Sequence, residues 1–169
     1  MKHALANDIL RYWRTLCLNY EAGSSERSKR EQSQRDRSKR KIKNYKLRHS
    51  RMLTCYSAVL FLLFVYEKNK TVTIPDAQKM VALTPTERLE FVINELKDSD
   101  PAKWIDELLG KYERFLEITS VSEDDLIQLF LDEAEARNLR NEQSDFGDLA
   151  YKVLYSIGHD NSLYRRLVI

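Results

Sequence analysis

Residues Met52–Tyr66 read MLTCYSAVLFLLFVY, and the reading of this stretch decides the fold. An uncharged run behind a polybasic approach could be a membrane span. Spanning, however, needs roughly 17–25 apolar residues, and Thr54, Tyr56 and Ser57 dilute a run that is already shorter. The stretch is therefore expected to be the buried core helix of a bundle, starting near Arg40 and ending near Lys68. Its first half is basic, carrying Lys41, Lys43, Lys46, Arg48 and Arg51. A membrane is set aside as a partner on the same length argument.

Upstream, Leu5, Ile9, Trp13, Leu16 and Tyr20 recur at steps of three and four, predicting a helix from about Ala4 to Tyr20 with one buried stripe. Asn7, Arg11 and Arg14 fall on another face, with Asp8 beside them. Between the two helices, residues 23–39 read GSSERSKREQSQRDRSK without apolar periodicity, which predicts a mobile basic loop. Downstream, start signals recur. Pro75 opens a short segment to about Leu83. Thr84-Pro85-Thr86-Glu87 supplies a cap, a first-turn proline and a capping-box acid for a helix to about Lys97. Ser99-Asp100-Pro101 repeats the logic for a helix ending near Ile118, and Ser122 to Asp125 caps another to about Asn138. A last helix is expected over Phe146–Ile157, before Gly158 and a short tail. Leu89, Val92, Ile93 and Leu96, and likewise Trp104, Leu108, Tyr112 and Phe115, are stripe positions that read as core.

The sum is an all-α fold: a single helical domain of about six helices with a mobile basic loop between the first two. A length of 169 residues suits one domain, and four glycines with three prolines leave too few turn residues for a sheet. The net charge of +2 hides an asymmetry. From Ser24 to Arg51 there are 12 Lys or Arg against 3 acids, whereas Thr71 to Ala150 carries 19 acids against 8 bases. A basic segment suggests phosphate as a ligand, while the acidic subregion, about 75–158, reads as solvated helix surface. Cys17 and Cys55 sit in apolar helical stretches, and Met1 opens directly onto an amphipathic run. Both features predict a reduced, cytoplasmic protein.

Familiar catalytic patterns are missing from the sequence. It has no P-loop and no glycine-rich dinucleotide fingerprint. His3, His49 and His159 are scattered without partners at zinc-ligand spacing, and no Ser or Cys has a nucleophile's context. Glu123, Asp124 and Asp125 are accounted for by favourable charge at a helix start.

Two segments carry a resemblance. Asn7–Cys17 reads NDILRYWRTLC, followed by Asn19, Tyr20 and Glu21, and Lys46–Arg51 reads KLRHSR just before the apolar helix. Separated by a variable polar loop, they resemble the helical region that follows the palm in bacterial nucleotidyltransferases of the polymerase-β-like superfamily. The match spans roughly residues 5 to 65. It implies a domain that closes one wall of a nucleotide cleft, in an enzyme moving a nucleoside monophosphate from a nucleoside triphosphate to an acceptor. In that family a palm holds a Gly-Ser turn and paired carboxylates binding two magnesium ions. This sequence departs from the pattern there, because Gly23-Ser24 is followed by Asp36-Arg37-Ser38, without a second acid or a strand-like setting. The chain alone is thus expected to be catalytically inactive and to bind no metal, with magnesium arriving only with a palm supplied in cis or in trans.

The resemblance assigns Lys46, Ser50 and Arg51 to triphosphate contact, a point charge, a hydroxyl and a planar fork on adjoining turns. It also turns the face bearing Asn7, Asp8, Arg11 and Arg14 toward the nucleotide. On residues alone, both sets could equally be solvated charge, with Asp8 and Arg11 simply pairing. A competing reading is a nucleic-acid-binding module that tracks a phosphate backbone with the basic arm from Arg27 to Arg51. Only Tyr45 and His49 are available there for stacking. A third reading places the same arm at a membrane surface.

Overall fold

The computed structural model describes residues 2–28 and 33–167, with side chains placed for 4–23 and 33–167. Among the described residues there are seven helices and no strand: α1 Lys2–Ser28, α2 Gln34–Asn69, α3 Ile74–Ala82, α4 Pro85–Leu96, α5 Asp100–Thr119, α6 Glu123–Leu131 and α7 Glu133–Gly158. A 3₁₀ turn, Tyr164–Arg166, closes the chain.

The long helix α2 is the axis of the bundle. By length and composition it could cross a membrane, but 72% of its apolar window is buried inside the fold. Val59, Leu60, Leu63 and Phe64 pack against Leu10 of α1, Leu89 and Val92 of α4, Ile105 and Leu108 of α5, and Phe146, Val153 and Leu154 of α7. On another side of the same helix, Phe61, Leu62 and Val65 meet Ala6 of α1 and Met80 of α3. Helices packed on several sides explain why this segment is apolar all round.

The first half of α2 builds a second core. Ile42 and Tyr45 pack with Phe115 of α5, Leu126, Ile127 and Phe130 of α6, and Ala136 and Leu139 of α7. Between the two cores, α2 widens into a π-turn at Leu47–Arg51. Such turns insert a residue into a helix, and they occur frequently at functional sites.

Local sequence explains most boundaries. Thr73 and Thr84 each form a capping box, with Asp76 and Glu87, and Pro75 and Pro85 lie in the first helical turns. Ser99 and Ser122 cap α5 and α6 as expected. Two polar side chains tie the helices together from inside. Buried Arg88 donates from Nε to the Met80 carbonyl (2.7 Å) and from Nη1 to the Thr54 carbonyl (3.2 Å) and Ser57 Oγ (3.4 Å). Buried Asn161 donates to the Leu63 carbonyl (3.1 Å) and accepts from the Leu163 N–H (2.8 Å), latching the tail onto α2.

The basic loop expected over residues 23–39 is shorter than its composition suggests. Helix α1 continues to Ser28 and α2 begins at Gln34, not near Arg40; residues 29–32 lie outside the described set. Ser33 caps α2 by accepting from the Asp36 N–H, and Ser38 is buried. Arg35 and Lys39 also pair with Asp124 and Glu123 at the start of α6, exposed contacts that add little to that cap. A second difference lies at Asp132. Its carboxylate accepts from the Ala134 and Glu135 N–H groups, ending α6 at Leu131 and starting α7 thirteen residues before Phe146. The α1 stripe is also displaced. Ala6 and Leu10 are its buried residues, whereas Leu5, Ile9, Trp13, Leu16 and Tyr20 are half-buried, because α1 lies on the outside of the bundle.

Candidate functional site

The π-turn decides which side chains of α2 look outward together. Lys46, Ser50 and Arg51, the three residues of the KLRHSR segment expected to contact phosphate, line a single groove of about 600 Å³. Lys43 joins them from one turn earlier. The opposite wall comes from α5, where Tyr112 stacks on Phe115 at 5.4 Å between ring centres, with Leu116 and Thr119 beyond. Leu16 of α1 closes one end. Lys46 and Arg51 are exposed and Ser50 is half-buried. No carboxylate lines the groove. Three cations and a hydroxyl against an aromatic wall can take an extended polyanion, with Arg51 offering the fork geometry that phosphate oxygens match. The same lining does not fit a resident magnesium ion, which needs carboxylate or other oxygen ligands.

Behind the groove the turn is held by an aromatic cage. His49 is buried, its ring stacked on Phe115 (4.7 Å, 5°) and close to Tyr45 (4.4 Å) and Phe146 (4.7 Å). Its Nδ1 lies 2.9 Å from the Tyr45 carbonyl, which can only accept, so Nδ1 carries the proton. Burial holds the His49 pKa below its usual value, against smaller opposing effects of that bond and of Glu142. Burial likewise pushes the neighbouring Tyr45 hydroxyl up to about 12. The cage is therefore a neutral, rigid support under the charged groove. The thiols follow the same physics: desolvation raises Cys17 and lifts Cys55 to about 11, which suits packing and disfavours a nucleophile.

The α1 residues are not brought to this groove. Asn7 donates from Nδ2 to the Arg166 carbonyl at 3.0 Å, tying α1 to the tail. Asp8 and Arg11 pair at 3.1 Å with most of both side chains in water, an arrangement worth little. Arg14 is exposed. Residues two apart on a helix differ by about 200° in direction, so Arg14 leaves α1 on the flank away from Leu16 and the groove. Trp13 meets Tyr56 edge-on at 6.3 Å, whereas neighbouring Tyr12 is 54% exposed.

Sequence reasoning passed over a second polar pocket, of about 370 Å³, between α2 and the start of α7. Its cations are Arg40, Lys41 and Arg140. Its signal is split between residues a hundred positions apart, so no local pattern could show it. An apolar groove beside Val72, Ile74 and Val81 has no charged lining residue and offers an anion nothing. The basic arm is not a continuous strip of available charge either, since α6 engages Arg35 and Lys39.

Comparison with protein-family models, with characterised proteins and with solved structures gave no match to this chain.

Proposed function

We propose that this domain is the helical wall of a nucleotide cleft. In this reading the groove between α2 and α5 holds the phosphate tail of a nucleoside triphosphate, and the rest of a nucleotidyltransferase is supplied in cis or in trans. The observation that supports it is the convergence of Lys46, Ser50 and Arg51 on one groove, joined by Lys43 and free of lining carboxylates. The KLRHSR segment carries the resemblance, and its side chains meet the electrostatic requirement of the role independently of it. The groove lining contains no acid pair, so the transfer step belongs to the missing palm. The role left to this chain is binding and orientation.

Calorimetric titration with ATP, the other nucleoside triphosphates and tripolyphosphate tests the reading. Two charge-assisted contacts of about 1.5–3 kcal/mol each predict that K46Q/R51Q weakens binding by tenfold or more. Unchanged affinity in the double variant would remove the proposed phosphate role.

A further inference from the structure

We propose that the outer face where α1, α7 and the C-terminal 3₁₀ turn meet binds single-stranded RNA. The proposal does not rest on the reading of the triphosphate groove. Its first ground is a row of aromatic rings held in water. Tyr151 and Tyr155 of α7 are 51% and 49% exposed. Their rings lie near parallel, 6.3 Å between centres, and His159 continues the row 5.0 Å beyond Tyr155. Each step is four residues, about 6 Å of helix rise, so one ring is offered per turn. The row is spaced more widely than the roughly 3.4 Å stack of a duplex. It suits the splayed bases of a single strand, which stack on Tyr and His faces. Tyr164 stands edge-on to the row, 6.3 Å from Tyr155. Gly158 makes room for it, since a Cβ there would sit 2.5 Å from the Tyr164 ring.

The second ground is charge. Arg14, Arg48 and Arg165 border the row, and all three are exposed. Arg165 follows Tyr164 in the same turn. Asn7 bonds to the Arg166 carbonyl of that turn, and Arg14, seven residues on, leaves α1 on the same flank. Tyr56, its pKa raised mainly by burial, feels both Arg48 and Tyr151, so this cation and the ring row border one tyrosine. The acids of α7 lie elsewhere. Gly147 faces Met52 of α2, so Asp148 points about 100° further round, to the outer side of the row. Asp160 pairs with His159 at 2.9 Å. A polyanion is thereby steered to the arginine side. Rings for bases, flanked by cations for phosphates, are what a single strand needs. The tyrosine hydroxyls can donate to or accept from a ribose 2′-OH, which selects RNA over DNA.

The test is fluorescence anisotropy of the full chain with short labelled oligonucleotides of one mixed sequence: single-stranded RNA, single-stranded DNA and duplex RNA. The RNA strand is expected to bind saturably, about threefold or more tighter than the DNA and about tenfold or more tighter than the duplex. Y151L/Y155L should weaken it by about tenfold or more with its salt dependence unchanged. Y151F/Y155F keeps the rings, so it should retain most of the affinity and lose the preference for RNA. R48Q/R165Q should reduce the slope of log affinity against log salt by about 1.4, two phosphate contacts to a single strand. K46Q/R51Q should leave RNA affinity unchanged. The proposal is overturned by absence of saturable RNA binding at about 0.1 mM chain, the weak limit of non-specific binding. It is equally overturned by DNA or duplex binding as tightly, by wild-type affinity in Y151L/Y155L, or by a proline-rich peptide binding this face while RNA does not.

Discussion

Single buried polar side chains set measurable properties of this molecule. His49 is kept neutral by its aromatic cage, with Glu142 and Arg114 the charged groups near it. As pH falls below about 6.5, the unfolded chain takes up a proton at this residue that the folded chain refuses. Stability therefore drops on acidification, by at most about 1.4 kcal/mol per pH unit from this group, until the folded pKa is passed. Denaturant melts at pH 7.5 and 5.5 should show a shallower loss for His49→Gln than for the wild type, since both pH values lie above the carboxylate range. Equal losses would mean that His49 is not the group responsible. Asn161 gives a sharper test. In Asn161→Asp a carboxylate oxygen replaces the amide that donates to the Leu63 carbonyl, leaving two acceptors face to face in a buried site. The cost should be about 2–4 kcal/mol at pH 7, read from the shift in urea midpoint. No shift would mean that the tail is not latched to α2.

At the scale of elements, what the sequence made legible was whatever local chemistry controls. The capping boxes at Thr73 and Thr84, the caps at Ser99 and Ser122, and the apolar run of α2 each announce themselves within a few residues. The early start of α2 was hidden because a serine cap, not an apolar stripe, marks it, and the break at Asp132 was hidden because one carboxylate cap interrupts an otherwise helical pattern. The π-turn was hidden too, because it falls where α2 passes from one core to the other, a tertiary feature. Deleting exposed Arg48 should restore a regular helix and rotate Ile42 and Tyr45 by about 100° relative to Leu53 and Phe61. One core would then lose its partner surface, at a cost on the order of 3 kcal/mol or more by denaturant unfolding. Triphosphate affinity should fall as well, as Lys46 leaves register with Ser50 and Arg51. A deletion variant as stable as the wild type would show that the insertion is not what aligns the two cores.

For the whole molecule, the α2 half of the expected site comes together in one groove and the α1 half is not placed with it. Lys46 and Ser50 share a helix face by spacing, and the π-turn brings Arg51 into line with them. Where Asn7, Asp8, Arg11 and Arg14 point depends on how α1 rotates against α2, and that is set by the buried line through Ala6 and Leu10. The fold thus presents two cationic concavities on either side of the Tyr45–Phe115 aromatic wall, and the proposed polyphosphate site is the one lined by Lys46, Ser50 and Arg51. The most direct measurement is a two-dimensional amide NMR titration of the ¹⁵N-labelled chain with tripolyphosphate. The largest saturable shift changes are expected at Lys43, Lys46, Ser50 and Arg51 and on the facing turn of α5 around Tyr112. Changes centred instead on Arg40, Lys41 and Arg140, or no saturable change, would contradict it.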